Sequence, residues 1–307
     1  MGALLLQADL PGPMPSTSAD SRIVPRTITA LTGNRTMAWA EIGSGPDLVA
    51  IHGALMTLED MWLGPALALA QHFRVVAVDR PGHGFSVRQR LADASPWRQA
   101  ELIREAVRRL GLRRPVILGH SFGGAVALAY GMLYPNEITG VVALAPICFP
   151  EPRLEQILFG PRAVPLLGER LTELLGVTVD PALLSLLWAG IYAPQPMPTD
   201  FAARYPFAMA GRATQLIAEG EDANALWLGL SRSLASYGAC RVPVRILCGG
   251  SDKVVNTFAH GRMAAQMIPT AHFEQLPGIG HMLHHIEVDA VVRAACAVAA
   301  SHARQAP

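Results

Sequence analysis

Ser121 stands midway between Gly119 and Gly123 in the run Val116-Ile-Leu-Gly-His-Ser-Phe-Gly-Gly124. A serine hydroxyl is a weak nucleophile, and it becomes useful when it is presented to a carbonyl carbon beside a base. A sharp turn can present it, but the turn crowds the backbone, so small residues are needed two positions before and after. The β-forming run that ends at Gly119 and the helix-like stretch Ala125–Tyr130 predict strand, turn and helix. That context is the one a G-x-S-x-G nucleophile elbow requires. It would place Ser121 at the positive end of the following helix.

A base must take the hydroxyl proton, and an acid must orient the base. Asp252 follows the apolar run Val244–Gly250, and His281 follows the strand-like His272–Leu276 and the turn Pro277-Gly-Ile-Gly280. An imidazole with a pKa of about 6.5 can accept a proton near neutrality and return it to a leaving group. His284 and His285 compete for the role, but His281 lies in the loop directly after the strand. The developing oxyanion needs backbone N–H donors, and Phe122, just after the serine, offers one.

Elements that could position these residues alternate along the chain. Arg26–Leu31 and Thr36–Ile42, split by Gly33-Asn34, predict a hairpin. Strands are predicted at Asp47–Ile51, Arg74–Val78, Pro115–Gly119 and Ile138–Leu144, with helices around Asp60–His72, Trp97–Leu110 and Phe122–Tyr134. Such alternation predicts an α/β fold: a mostly parallel sheet with helices on both faces. From Pro146 to Gly238 the pattern becomes Leu-rich and repeatedly broken by proline, which predicts short helices. Residues 1–22, rich in Pro, Ser and Gly, are expected to form a mobile tail.

The 307 residues are 51% hydrophobic and 16% charged with a net charge of +1, which suits a large core and gives no basic surface for nucleic acid. The arginines between Arg88 and Arg114 read as solvated faces of a loop and a helix. The cysteines at 148, 240, 248 and 296 have no metal-ligand spacing, and reduced thiols in a cytoplasmic protein are expected. No stretch has the length and uniformity of a transmembrane helix.

Four motifs together resemble the serine-nucleophile branch of the α/β-hydrolase superfamily, over about Arg26–His302. They are Ile51-His-Gly-Ala54, Asp79-Arg-Pro-Gly-His-Gly-Phe-Ser86, Gly119-His-Ser-Phe-Gly-Gly124, and the pair Gly250-Ser-Asp252 with Gly280-His281. The resemblance implies an α/β-hydrolase core over 23–145 and 239–307, with a helical cap over 146–238 inserted after the sixth strand. It implies a triad of Ser121, Asp252 and His281. It also implies a second oxyanion donor at Ala54, with Leu55 the less favoured choice. Some relatives place the acid after the sixth strand, but Leu144-Ala-Pro-Ile-Cys148 has no carboxylate. His52 and His83 are expected to be structural, and His120 to pack.

The resemblance implies hydrolysis of a carboxylic ester through an acyl-enzyme, with no metal or organic cofactor. Lactonase, thioesterase, amidase, perhydrolase and carbon–carbon hydrolase activities use the same triad and stay open. So do a lyase and a small-molecule receptor of this fold with slow or no turnover. Ser121 itself speaks against the branches that use a carboxylate nucleophile. Leu55, Met56, Trp62, Trp188, Tyr192 and Trp227 are expected to line an apolar pocket for a small-molecule substrate. The substrate and the oligomeric state are not legible in the sequence.

Overall fold

The computed structural model describes residues 23–303, so the expected tail over 1–22 lies outside the described residues. Strands β1 (Thr27–Leu31) and β2 (Arg35–Ile42) pair antiparallel, with Leu31 opposite Arg35. At the turn between them Gly33 and Asn34 hold φ of 75° and 57°, the conformation a tight hairpin demands. Six strands follow: β3 (Asp47–Ile51), β4 (Arg74–Val78), β5 (Val116–His120), β6 (Gly140–Leu144), β7 (Val244–Gly249) and β8 (Ala271–Leu276). The sheet order is β1-β2-β4-β3-β5-β6-β7-β8, and β2 meets β4 antiparallel while every later pairing is parallel. The mostly parallel sheet expected from the alternating pattern is therefore present.

Alternate strand residues feed two cores. Val49, Ile51, Val76, Val78 and Ile117 pack with the helices Pro96–Arg109 and Phe122–Leu133 on one face. Leu48, Ala50, Val75, Ala77 and Leu118 pack on the other with Leu58, Met61, Leu69 and the helix Val288–Ala303. Burial on both faces is why these strands read as unbroken apolar runs rather than alternating ones. Helix starts follow local chemistry: the Ser95 hydroxyl accepts from the Arg98 amide at 3.2 Å, and Pro96 occupies the first turn.

Between β6 and β7 the described chain forms helices and turns with no strand. The helices include Leu154–Leu158, Leu167–Gly176, Asp180–Ile191, Thr199–Arg204 and the long Ala213–Ser236. A third apolar cluster joins this insertion to the sheet's edge, with Leu184, Trp188, Tyr192, Phe201 and Tyr205 packed against Leu55, Met56 and Met282. The long helix also carries a buried acidic run: Glu219, Glu221 and Asp222. Here the expectation of solvated arginines needs correction. The Arg88 side chain is buried and pairs with Glu221 and Asp222, each at 2.5 Å, and Arg90 reaches Glu221 at 2.6 Å. Their partners lie more than a hundred residues away in sequence, so local pattern gave no sign of them.

All four cysteines are free thiols, and only Cys296 is incompletely buried. Among the described residues no single helix is long and apolar enough to cross a membrane. Leu167–Gly176 and Asp180–Ile191, bent by 84°, reach that composition only as a pair.

Candidate active site

The C-terminal edge of the parallel strands gathers the predicted residues. Ser121 leaves β5 with φ 54° and ψ −115° and starts the helix Phe122–Leu133. A non-glycine residue in that region costs about 1–3 kcal/mol and persists only where its surroundings fix it. They do so here: the Ser121 amide donates to Leu144 O at 2.8 Å, and its carbonyl accepts from Gly124 N at 3.0 Å. The flanking glycines are a steric necessity. A Cβ on Gly119 would lie 2.1 Å from Gly123 O, and one on Gly123 would lie 2.5 Å from His52 O.

Asp252 and His281, from the loops after β7 and β8, meet directly, with His281 Nδ1–H donating to Asp252 Oδ2 at 2.8 Å. The other carboxylate oxygen accepts from the amides of Val254 and Val255, at 2.7 and 2.9 Å. Burial alone would raise this carboxyl, but the His281 ring and the two amides outweigh it and hold the group below its ordinary value. With Nδ1 donating, His281 Nε2 keeps its lone pair. His120, beside the serine, supports this loop, its Nε2–H donating to the His281 carbonyl at 3.1 Å.

The loop after β3 comes close to the serine. A Cβ on Gly53 would lie 3.3 Å from Ser121 Cβ. His52 is a post beneath it: Nδ1–H donates to Gly53 O at 2.8 Å, and Nε2 accepts the Arg80 amide at 2.9 Å. Burial first, and the Arg80 charge second, push its pKa well down, so it stands as a neutral ring. Arg80 itself reaches Gly53 O at 3.2 Å, pairs with Asp222 at 2.5 Å and lies 4.3 Å over the Phe122 ring. Leu55, with φ 58°, donates its amide to the Glu219 carboxylate of the long inserted helix. Among the described residues the Ala54 and Phe122 amides have no hydrogen-bond partner. Sequence reading missed Glu219, Arg80 and their neighbours. The only available signal was an acidic run inside an apolar helix.

The other histidines take different posts. His284 Nε2 and His285 Nε2 each donate to Asp60 Oδ1 at 2.9 Å, and neither reaches Asp252. Two groups among the described residues set three ligand-type atoms within 4.8 Å of one another: Asp60–His120–His284 and His83–Glu219–Asp222. The first already holds a histidine–carboxylate hydrogen bond. The second lies against the Arg80 and Arg88 guanidiniums, which oppose a further cation.

A groove of about 450 Å³ opens beside the site, with aliphatic walls from Leu55, Leu154, Leu158, Leu187 and Ile191 and the charged Glu151, Arg153, Glu155 and Lys253 also lining it. Ser121 does not line it, but Leu55 from the loop after β3 and Lys253 and Val254 from the acid loop do. Of the six residues expected to line a pocket, Leu55 alone does so here. Met56, Trp188 and Tyr192 are locked in the buried cluster between insertion and sheet. Trp62 packs against the core beneath the sheet. Trp227 is half exposed on the outer surface. Large aromatic rings mostly fill the interior where they bury most area, and aliphatic and charged side chains are left to wall most of the groove.

The sequence signature of the alpha/beta hydrolase family matches residues 48–295. An uncharacterized protein of Mycobacterium tuberculosis is 30% identical over 266 residues, covering 79% of this chain and 72% of the relative. A pimeloyl-[acyl-carrier protein] methyl ester esterase of Nitrosospira multiformis is 36% identical over 107 residues, 33% of this chain and 38% of the relative. In structure, an alpha/beta hydrolase fold protein from Burkholderia ambifaria is similar with a TM-score of 0.70 and 22% identity, over 88% of this chain and 98% of that one. The chain belongs to the alpha/beta hydrolase family. Its relatives include esterases and lipases.

Proposed function

We propose that this protein hydrolyses a carboxylic ester of a small, largely apolar substrate through an acyl-enzyme on Ser121. The observation that carries the reading is the 2.8 Å bond from His281 Nδ1 to Asp252. It fixes the tautomer that leaves Nε2 free to act as a base toward a serine held in a strained turn. Ser121 Oγ attacks the carbonyl carbon as His281 takes its proton. The negative oxygen that forms accepts from the Phe122 amide, at a helix N-terminus, and from the Ala54 amide. The Leu55 N–H is engaged by Glu219, which supports Ala54 over Leu55 for that task. As the intermediate collapses, His281 returns the proton to the leaving alkoxide. A water molecule then repeats the sequence on the acyl-enzyme.

The helices between β6 and β7 act as the cap in this reading, and the aliphatic part of the groove, Leu154, Leu158, Leu187 and Ile191, suits an apolar acyl or alkyl chain, with charged side chains at hand for a polar end. The esterase similarity supports the reaction class. The test is a screen of p-nitrophenyl esters of increasing chain length with wild-type protein and Ser121→Ala. Turnover should fall by several orders of magnitude in the variant, whose circular dichroism should be unchanged. A fluorophosphonate should label Ser121 in the wild type, and labelling at a different serine would refute the assignment.

A further inference from the structure

In the loop after β3, the first peptide is fixed by the core and the rest by the insertion. Gly53 O is bonded to His52 and Arg80. Beyond it, every hydrogen bond made by the backbone of Ala54, Leu55 and Met56 among the described residues goes to an inserted side chain. Glu219 accepts from Leu55 N–H, Trp188 Nε1–H donates to Leu55 O at 3.2 Å, and Gln215 Nε2–H donates to Met56 O at 3.1 Å. Both polar groups of one residue are therefore taken by two different inserted helices.

That residue is also the strained one. Leu55 holds φ at 58°, a region that a γ-branched side chain adopts only under constraint. Return to negative φ would turn the Ala54–Leu55 peptide and shift the chain that carries the Ala54 amide. Oxyanion donors act only when they are aimed in advance at the oxygen's position. Glu219 is well placed to oppose the relaxation. It is buried, it also contacts His83 Nε2 at 2.9 Å, and Arg80 stands 3.8 Å away. Gln215 ties the same helix to the turn after β4, its Oε1 accepting the Gly84 amide at 3.0 Å.

We infer that Glu219, with Trp188 and Gln215, is a positioning residue that holds the loop after β3 in its catalytic shape, so that the oxyanion site is complete only while the insertion is docked. The inference rests on the esterase reading above and adds a role for the insertion beyond substrate selection. Nothing in it requires Glu219 to touch the substrate. Its carboxylate acts through Leu55.

The experiment compares wild type, Glu219→Ala, Glu219→Gln and Trp188→Phe. It measures ester kinetics and amide hydrogen exchange of peptides spanning 53–57 and 250–257. Glu219→Ala should lower kcat about 10- to 100-fold, the lower part of what an oxyanion donor supplies, with little change in KM. Exchange should rise in 53–57 and stay constant in 250–257. Glu219→Gln keeps a carbonyl that can accept the Leu55 amide and should recover most of kcat. Trp188→Phe keeps the ring's bulk but loses its N–H, so it should reduce kcat several-fold without moving the chain-length preference. If Glu219→Ala fails to fold, Trp188→Phe still decides the matter. Unchanged kcat and unchanged exchange at 53–57 in whichever of Glu219→Ala and Trp188→Phe folds, in a background of active wild type, would overturn the inference and leave the esterase reading standing. A wild type that neither turns over esters nor labels at Ser121 would overturn both.

Discussion

Two loops at the same edge of the sheet are built on opposite plans. The acid loop after β7 supports itself: Asp252 accepts from its own Val254 and Val255 amides, and Gly250 and Ser251 donate to the neighbouring Leu276 and Ile279 carbonyls at 2.8 Å. No inserted side chain bonds to it among the described residues. The loop after β3 leans on Glu219, Trp188 and Gln215. The base loop stands between these extremes, with Gln195 of the insertion bonded to Gly278 O and Gly280 N at 2.8 and 2.9 Å. On the proposed reading, the difference implies that proton transfer and oxyanion binding would fail separately. The first would rest on the loops after β7 and β8 with a single inserted side chain, Gln195, and the second would be shared with three.

The strongest test of that division is Asp252→Asn. It should keep the fold and lower ester turnover by about 10⁴-fold, the loss seen in a well-studied protease when the wrong histidine tautomer is favoured. Steady-state kinetics beside hydrogen exchange would check it, and exchange at 53–57 should not move. Near-normal turnover would mean that another carboxylate orients His281. Smaller effects are expected from the insertion side. Leu187→Ala or Ile191→Ala should shift the preferred acyl length by one or two carbons. The change in kcat/KM should be about 10-fold, because a matched methylene in an apolar pocket is worth only about 1–3 kcal/mol. An unmoved profile across the p-nitrophenyl series would show that the groove does not hold the chain.

The smallest effect is on stability. Burial raises the Glu219 carboxyl to about 7, against the pull of Arg80. The folded state therefore binds this proton more tightly than the unfolded chain does. Its contribution favours folding at low pH and is lost as pH rises through the folded value. Glu219→Gln should remove that part of the pH dependence, so thermal unfolding of wild type and variant should diverge between pH 5 and pH 8. Asp252 has the opposite sign. Its lowered carboxyl stabilises the fold above its unfolded value and ceases to do so as pH falls through the folded one. Parallel melting curves for wild type and Glu219→Gln would show that the buried carboxyl does not titrate in this range.

Much of the fold was legible because its signals are local. The hairpin was written in Gly33-Asn34, and the buried strands in short apolar runs. The lining of the groove beside the site was less legible. Trp188 and Tyr192 carry the composition of a binding site but sit inside the cluster that docks the insertion, while Trp227 faces outward. Helical periodicity gives a buried face without naming what lies against it.

The sequence by itself determined the elbow and the order of serine, acid and histidine. Steric exclusion between Gly119 and Gly123 acts over four residues, and strand-then-loop spacing places each polar group at a strand's end. Only the tertiary structure decided that Glu219 holds Leu55 across 164 residues, that Arg80 ties Phe122 to Asp222, and that His284 and His285 serve Asp60 rather than the acid loop. A buried carboxylate must find donors, but which donors it finds depends on how the helix packs, and no local pattern carries that choice.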